Sequence, residues 1–206
     1  PSCNQAFIGR KDEIKAIASH LSNQSVLFIT GMAGIGKSEV AKAYAQTNRK
    51  KYTNIIYLYY TGDLRKDIAN LTFADDSVEM NEEVRFQNHY KVMQRLHTDT
   101  LLILDNFNVL PKDEPFLKEL MKNDMQLLIT SRCKLKNYDS IEIKELDKEK
   151  ELTELFYKHC PSAKRDPDSV SAIIEEVNCH TLTVCMAALT LEASGMEPEE
   201  LLQELR

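Results

Sequence analysis

The chain has 206 residues, 43% apolar and 28% charged, the balance of an ordinary globular protein with length for one large domain or two small ones. A formal net charge of −6 argues against direct nucleic-acid binding, which calls for a basic face. No apolar run approaches the ~18 residues of a membrane helix and no leader pattern is visible, and the scattered Cys3, Cys133, Cys160, Cys179 and Cys185, with no C-x-x-C pair, suit free thiols in a reducing cytoplasm.

In chain order, a helix is expected over residues 11–21, then a short apolar strand over 25–30. Directly after it comes Gly31-Met32-Ala33-Gly34-Ile35-Gly36-Lys37-Ser38, and a helical pattern follows over 38–49. This is the G-x-x-x-x-G-K-[ST] loop in its required strand–helix setting. Glycines let successive backbone N–H groups converge on one anion, and the helix start adds the positive end of its dipole. The ligand implied is a nucleoside triphosphate with Mg²⁺. Met32, Ala33, Gly34, Ile35, Gly36, Lys37, Ser38 and Glu39 are assigned to it, with Lys37 on the β- and γ-phosphates and the Ser38 hydroxyl on the metal.

Further apolar runs at 54–60, 100–105, 125–131 and 140–143 read as buried parallel strands. Helical patterns lie at 63–71, at 82–97 (Val84, Tyr90 or Val92, and Leu96 at helical spacing) and at 116–121, and a polar loop is expected over 72–81. Strands alternating with helices predict a parallel sheet covered on both faces. After residue 143 only helices follow: 145–159 with Asp147 as N-cap, 167–177 opened by Asp166-Pro167, 181–193 closed by Gly195, and 198–206. The chain is therefore divided into an α/β domain, 1–144, and a helical domain, 145–206. Pro1 in place of Met, and Arg206 inside a helical pattern, lead us to expect a piece of a longer protein.

The second half of the site is read from Leu101-Leu102-Ile103-Leu104-Asp105, whose terminal carboxylate suits the magnesium at the C-terminal edge of the sheet. Ser38 and Asp105 are thus the expected metal residues. Asn106 follows where related ATPases often carry a second acid. An amide can position water but cannot accept its proton, so hydrolysis is expected to be slow. Asp113 and Glu114 are other candidate acids. Arg132, closing Leu127-Leu128-Ile129-Thr130-Ser131-Arg132, can read a γ-phosphate. Lys37, Asp105, Asn106 and Arg132 make up the expected catalytic set.

Taken together, these stretches resemble the NB-ARC group of the STAND ATPases, signal-transducing relatives of AAA+ proteins. Phe7-Ile8-Gly9-Arg10-Lys11-Asp12-Glu13 is similar to the hhGRExE motif, with Lys11 where Glu is usual. Leu101–Asn106 resembles the Walker B strand, and Leu128–Arg132 the sensor strand. Residues 141–146, leading to Leu155-Phe156, resemble the closing strand and helix. Cys179-His180-Thr181-Leu182 resembles the "GLPL" helix start, with Cys179 for glycine and Thr181 for the proline that packs on adenine. The resemblance implies a P-loop NTPase fold with sheet order 5-1-4-3-2, which puts Thr130 and Arg132 toward the phosphates. It also implies that Ile8 lines one side of the adenine, that Thr181 and Leu182 close the other, and that Arg10 contacts the nucleotide or braces the site.

By that likeness the function expected is an ATP/ADP switch with Mg²⁺ as cofactor. Turnover would be slow, and the full-length protein would self-associate in its ATP state. A constitutive AAA+-type remodeller and a scaffold holding a structural ADP remain alternatives. GTP is disfavoured, because Asn137-Tyr138-Asp139 is no N/T-K-x-D base-reading motif.

Overall fold

In a parallel sheet with both faces covered, the central strands cannot tolerate polar positions. Strands β3 (Thr100–Asp105) and β4 (Gln126–Ser131) are buried at every residue, and β1 (Val26–Thr30) at all but its first. The computed structural model describes residues 6–74, 76, 80–133 and 135–206. Cys3 and part of the loop expected over 72–81 lie outside them. With β2 (Asn54–Tyr59) and β5 (Ser140–Glu142), the three central strands form a parallel five-stranded sheet in the order β2-β3-β4-β1-β5, the order the family resemblance implied. β2 and β5 are only partly buried, not buried as read from their apolar content. Each is an edge strand with a neighbour on one side only.

Strand periodicity sends alternate side chains to opposite faces. Leu27, Ile29, Leu101, Ile103 and Leu128 meet helices α1 (Lys11–Leu21) and α2 (Lys37–Thr47) through Ile17, Leu21, Val40 and Tyr44. Phe28, Leu102, Leu104, Leu127 and Ile129 meet α3 (Leu64–Ala69), α4 (Glu82–Met93) and α5 (Phe116–Leu120). The face of α4 differs from the one expected. Phe86, His89 and Met93 are buried, whereas Val84 and Val92 are more than 40% exposed. His89 is held inside by the Ile68 carbonyl (2.8 Å) and the Asp76 carboxylate (2.6 Å), so a polar residue occupies a core-facing position and hides the pattern.

Beyond β5, helices α6 (Thr153–His159), α7 (Pro167–Glu176), α8 (Thr181–Ser194) and α9 (Pro198–Leu205) enclose their own apolar cluster, which also takes in Ile8. Asp166 caps α7 by accepting from Ser169 N (3.1 Å), and Gly195 closes α8 with φ 69°. The single helix expected over 145–159 instead opens with a π-helical turn, Lys148–Leu152, capped by Asp147. Glu151 turns back to accept from Asp147 N (2.9 Å) and lies where a Cβ on Gly9 would fall, 2.0 Å from its Oε1. With φ 66° as well, a side chain at position 9 would be strained and would have to displace the Glu151 carboxylate.

On the other face, Tyr44 and Tyr52 share a hydroxyl hydrogen bond (2.6 Å). Tyr52 OH donates to Gln126 Oε1 (2.5 Å), and Gln126 Nε2 donates to the Leu21 carbonyl. Burial pushes both phenols above the usual tyrosine range, while burial and the Glu114 carboxylate push Tyr60 up to about 12. The unfolded chain ionises these groups near pH ~10 and the folded chain does not, so the folded state holds more protons and stability falls as pH rises past ~10. In an alkaline titration, phenolate absorbance from Tyr44, Tyr52 and Tyr60 should appear together with loss of helical circular dichroism. Difference titrations against Tyr44→Phe, Tyr52→Phe and Tyr60→Phe separate these three phenols from the other five of the eight tyrosines, and their phenolate signal at the ordinary midpoint from an intact fold would contradict their burial.

Candidate functional site

The residues from Thr30 to Ser38 run from the end of β1 into α2. Gly36 caps α2 without a side-chain hydrogen bond, leaving first-turn N–H groups to a ligand. A cleft of about 560 Å³ opens above the loop, lined by Ala33, Gly34, Gly36, Lys37, Ser38 and Glu39 from the loop side, and by Asn106, Asn108, Thr130 and Arg132 from the ends of β3 and β4. Lys37 Nζ donates to the Gly31 (2.9 Å) and Met32 (2.7 Å) carbonyls. Burial lowers its pKa, repulsion from Arg132 lowers it further, and Asp105 opposes both.

Asp105 lies beneath this cleft, 3% exposed, and collects three hydroxyl donors. Ser38 Oγ (2.7 Å) and Thr130 Oγ1 (2.5 Å) donate to Oδ1, and Tyr57 OH (2.5 Å) to Oδ2. Tyr57's pKa is raised by burial and by that carboxylate. Asn106 has left-handed backbone (φ 66°), which Asn tolerates. Its side chain accepts from Asn108 Nδ2 (2.5 Å) and donates to the Tyr60 carbonyl (3.3 Å), while Asn108 Oδ1 accepts from Arg132 N (2.9 Å). This amide pair ties the end of β3 to the end of β4, with the exposed Arg132 side chain facing the cleft. Glu114 is committed elsewhere, accepting from Tyr60 OH (3.3 Å), Leu64 N (3.1 Å) and Phe116 N (3.3 Å), and Asp113 is exposed. Neither lines the cleft, so both drop out as candidate acids.

A second cleft shares Gly36 and Glu39 with the first. Ile8, Arg10, Ile35 and Thr181 line it, with Phe7, Leu146, Leu155, His159 and Cys185. Arg10 is buried, pairs with Glu13 (2.9 Å) and donates to the Ile35 carbonyl (3.3 Å), so it braces the loop. Met32 and Leu182 line neither cleft, and both are half exposed. Leu182 and His180 instead pack on Gly34, where an added Cβ would fall 2.5 Å from His180 Cε1 and 2.9 Å from Leu182 Cβ. His180 Nε2 donates to the Ala33 carbonyl (2.7 Å), and Nδ1 accepts from Thr183 Oγ1 (2.9 Å). Just before it, Asn178 and Cys179 both have φ 55°, so Cys179 stands outside the helix in left-handed backbone.

Sequence reasoning did not single out Tyr57, Asn108 or His159. The single signal for Tyr57 was a phenol inside an aliphatic strand, and for His159 a histidine three residues after Phe156. Asn108 gave none.

A family profile described as an AAA domain matches residues 19–137, more than half of the chain, and the chain belongs to that family. Among solved structures it is similar to the Walker-type ATPase of Pyrococcus abyssi, with TM-score 0.68 at 11% identity over 100% of this chain and 73% of that one. It is also similar to AMPPCP-bound DnaA from Aquifex aeolicus, with TM-score 0.61 at 16% identity over 96% of this chain and 67% of that one. A third is a Signal Transduction ATPase with Numerous Domains from Pyrococcus horikoshii that carries a tetratricopeptide repeat sensor. There the TM-score is 0.52 at 17% identity, over 98% of this chain and 32% of that one. At these identities the likeness establishes the fold, a P-loop NTPase sheet of the AAA type. No curated protein matches the sequence.

Gly34 has φ 72° and no room for a methyl group, so Gly34→Ala should destabilise the protein by about 1–3 kcal/mol in urea unfolding. Part of that cost is the collision with the imidazole. In a double-mutant cycle with His180→Ala, the two changes should couple by at least ~0.5 kcal/mol. Additive costs would place His180 away from the loop.

Proposed function

We propose that this chain binds ADP and ATP with Mg²⁺ and is the nucleotide-operated core of a signalling switch of the NB-ARC/STAND kind. In this reading residues 1–144 are the nucleotide domain and residues 145–206 the helical domain that responds to it. The observation that carries it is the meeting of Lys37, Ser38 and Arg132 around one cleft, with Asp105 bonded to Ser38 beneath it and His180 of the helical region bonded to the phosphate loop at Ala33. Family membership and the likeness to AMPPCP-bound DnaA favour an adenine nucleotide.

Ser38 and Asp105 offer hard oxygen donors 2.7 Å apart. Mg²⁺ is usually shared between one or two protein oxygens and the phosphates, the part these two oxygens would play. When bound, it would neutralise phosphate charge. Lys37 exchanges its carbonyl partners for the phosphates, and Arg132 reads the outermost one. Asn106 orients water and takes no proton, so turnover is slow and the bound nucleotide defines the state. Because His180 rests on the loop, a conformation of the helical region that suits one nucleotide better than the other shifts with it. The full-length protein would carry that shift into self-association, in the cytoplasm. Among the described residues no helix is long and apolar enough to cross a membrane.

Two measurements test this. In titration calorimetry, Lys37→Ala should lose binding of both ADP and ATP by about 100-fold or more. Unchanged affinity would refute the site. In steady-state phosphate release, the wild-type chain should turn over well below about one per second, and Asn106→Asp should raise that rate at least about tenfold by supplying a proton acceptor. Many turnovers per second from the wild type would mark a constitutive motor instead.

A further inference from the structure

The second cleft, about 450 Å³, has apolar walls from Phe7, Ile8, Ile35, Leu146, Leu155 and Cys185, and it joins the phosphate cleft at Gly36 and Glu39. Its other polar side chains are Arg10, Glu39, His159 and Thr181. Arg10 donates to Glu13 and the Ile35 carbonyl, and Glu39 accepts from Lys42 (2.9 Å). His159 Nε2 and Thr181 Oγ1 are different. Each is a buried polar atom with no hydrogen-bond partner among the described residues. Such atoms are rare in folded proteins and call for an explanation. Here two of them line one apolar cleft, from different helices, beside a phosphate-binding loop.

Resting on the nucleotide reading above, we propose that His159 Nε2 and Thr181 Oγ1 read the polar edge of the base and select adenine over guanine. An imidazole nitrogen and a hydroxyl can each donate or accept, so together they can supply one acceptor and one donor. The adenine edge presents two adjacent groups, the N6 amino donor and the N1 acceptor, and this pair can satisfy both. The guanine edge presents O6, N1–H and the N2 amino group. With two partners, at least one of those would be left bare in a dry cleft, where an unpaired polar group is costly. The base plane would lie against the aliphatic walls.

The test uses the 206-residue chain in titration calorimetry with ADP, GDP, purine riboside diphosphate (which lacks the amino group) and inorganic tripolyphosphate. The wild type should prefer ADP to both other nucleotides by about tenfold or more. Thr181→Val and His159→Leu should each lower ADP affinity about tenfold or more and shrink the ADP-to-GDP ratio, with tripolyphosphate affinity unchanged. Thr181→Ser, which keeps the hydroxyl, should retain the preference. An ADP-to-GDP ratio equal to the wild type's in both variants overturns the assignment. So does a parallel loss of tripolyphosphate affinity, which would assign the two residues to packing. A wild-type chain that binds neither nucleotide nor tripolyphosphate refutes the nucleotide reading itself, and this assignment with it.

Discussion

The carboxylate of Asp105 is the point on which the structure converges. A buried ion is costly without compensation, and this one receives three hydroxyl donors, from Ser38 on α2, Thr130 on β4 and Tyr57 on β2. Three elements adjacent to β3 are thereby fixed at one atom group. Thr130 Oγ1 also accepts from Asn106 N, so the hydroxyl that holds the acid sets the backbone of the next residue. The left-handed turn at Asn106 then aims its amide along the rim toward Asn108 and the Arg132 backbone. Floor and rim of the cleft are one hydrogen-bonded unit, and Tyr57, remote in sequence and on an edge strand, belongs to it.

The phosphate loop is gripped from two sides by segments that belong to the helical core. Ile8 packs into that core, Gly9 admits Glu151, and Arg10 reaches back to the Ile35 carbonyl. From the opposite direction His180 reaches the Ala33 carbonyl. A change in loop geometry is therefore felt by the N-terminal segment and by the start of α8 together. Those segments also frame the second cleft, which shares Gly36 and Glu39 with the first.

The central strands were legible because burial on both faces forces continuous aliphatic runs, and because Asp105 and Arg132 break those runs at the functional edge. The phosphate loop was legible because its chemistry needs glycines at fixed offsets. The remainder depends on partners distant in sequence. Phe86 and Met93 face the core while Val84 and Val92 do not, a choice settled by the buried bonds of His89 to Ile68 and Asp76. The π turn at 148–152 answers a contact with Gly9 across the fold. His159 reads as an ordinary helix-end histidine until α8 places Thr181 beside the same cleft.

The electrostatics of the cleft account for its hunger for an anion. Lys37 has been moved out of water, which lowers its pKa, and Arg132 faces the same space and lowers it further. Asp105 offsets part of this while accepting from three hydroxyls. Two carbonyl oxygens of the loop are the remaining compensation for the ammonium, and neutral acceptors compensate a charge less well than an anion does. An anion placed between Lys37 and Arg132 would relieve both cations at once. By linkage, whatever binds here stabilises the folded chain. The loop concerned is the one on which His180 and Arg10 rest.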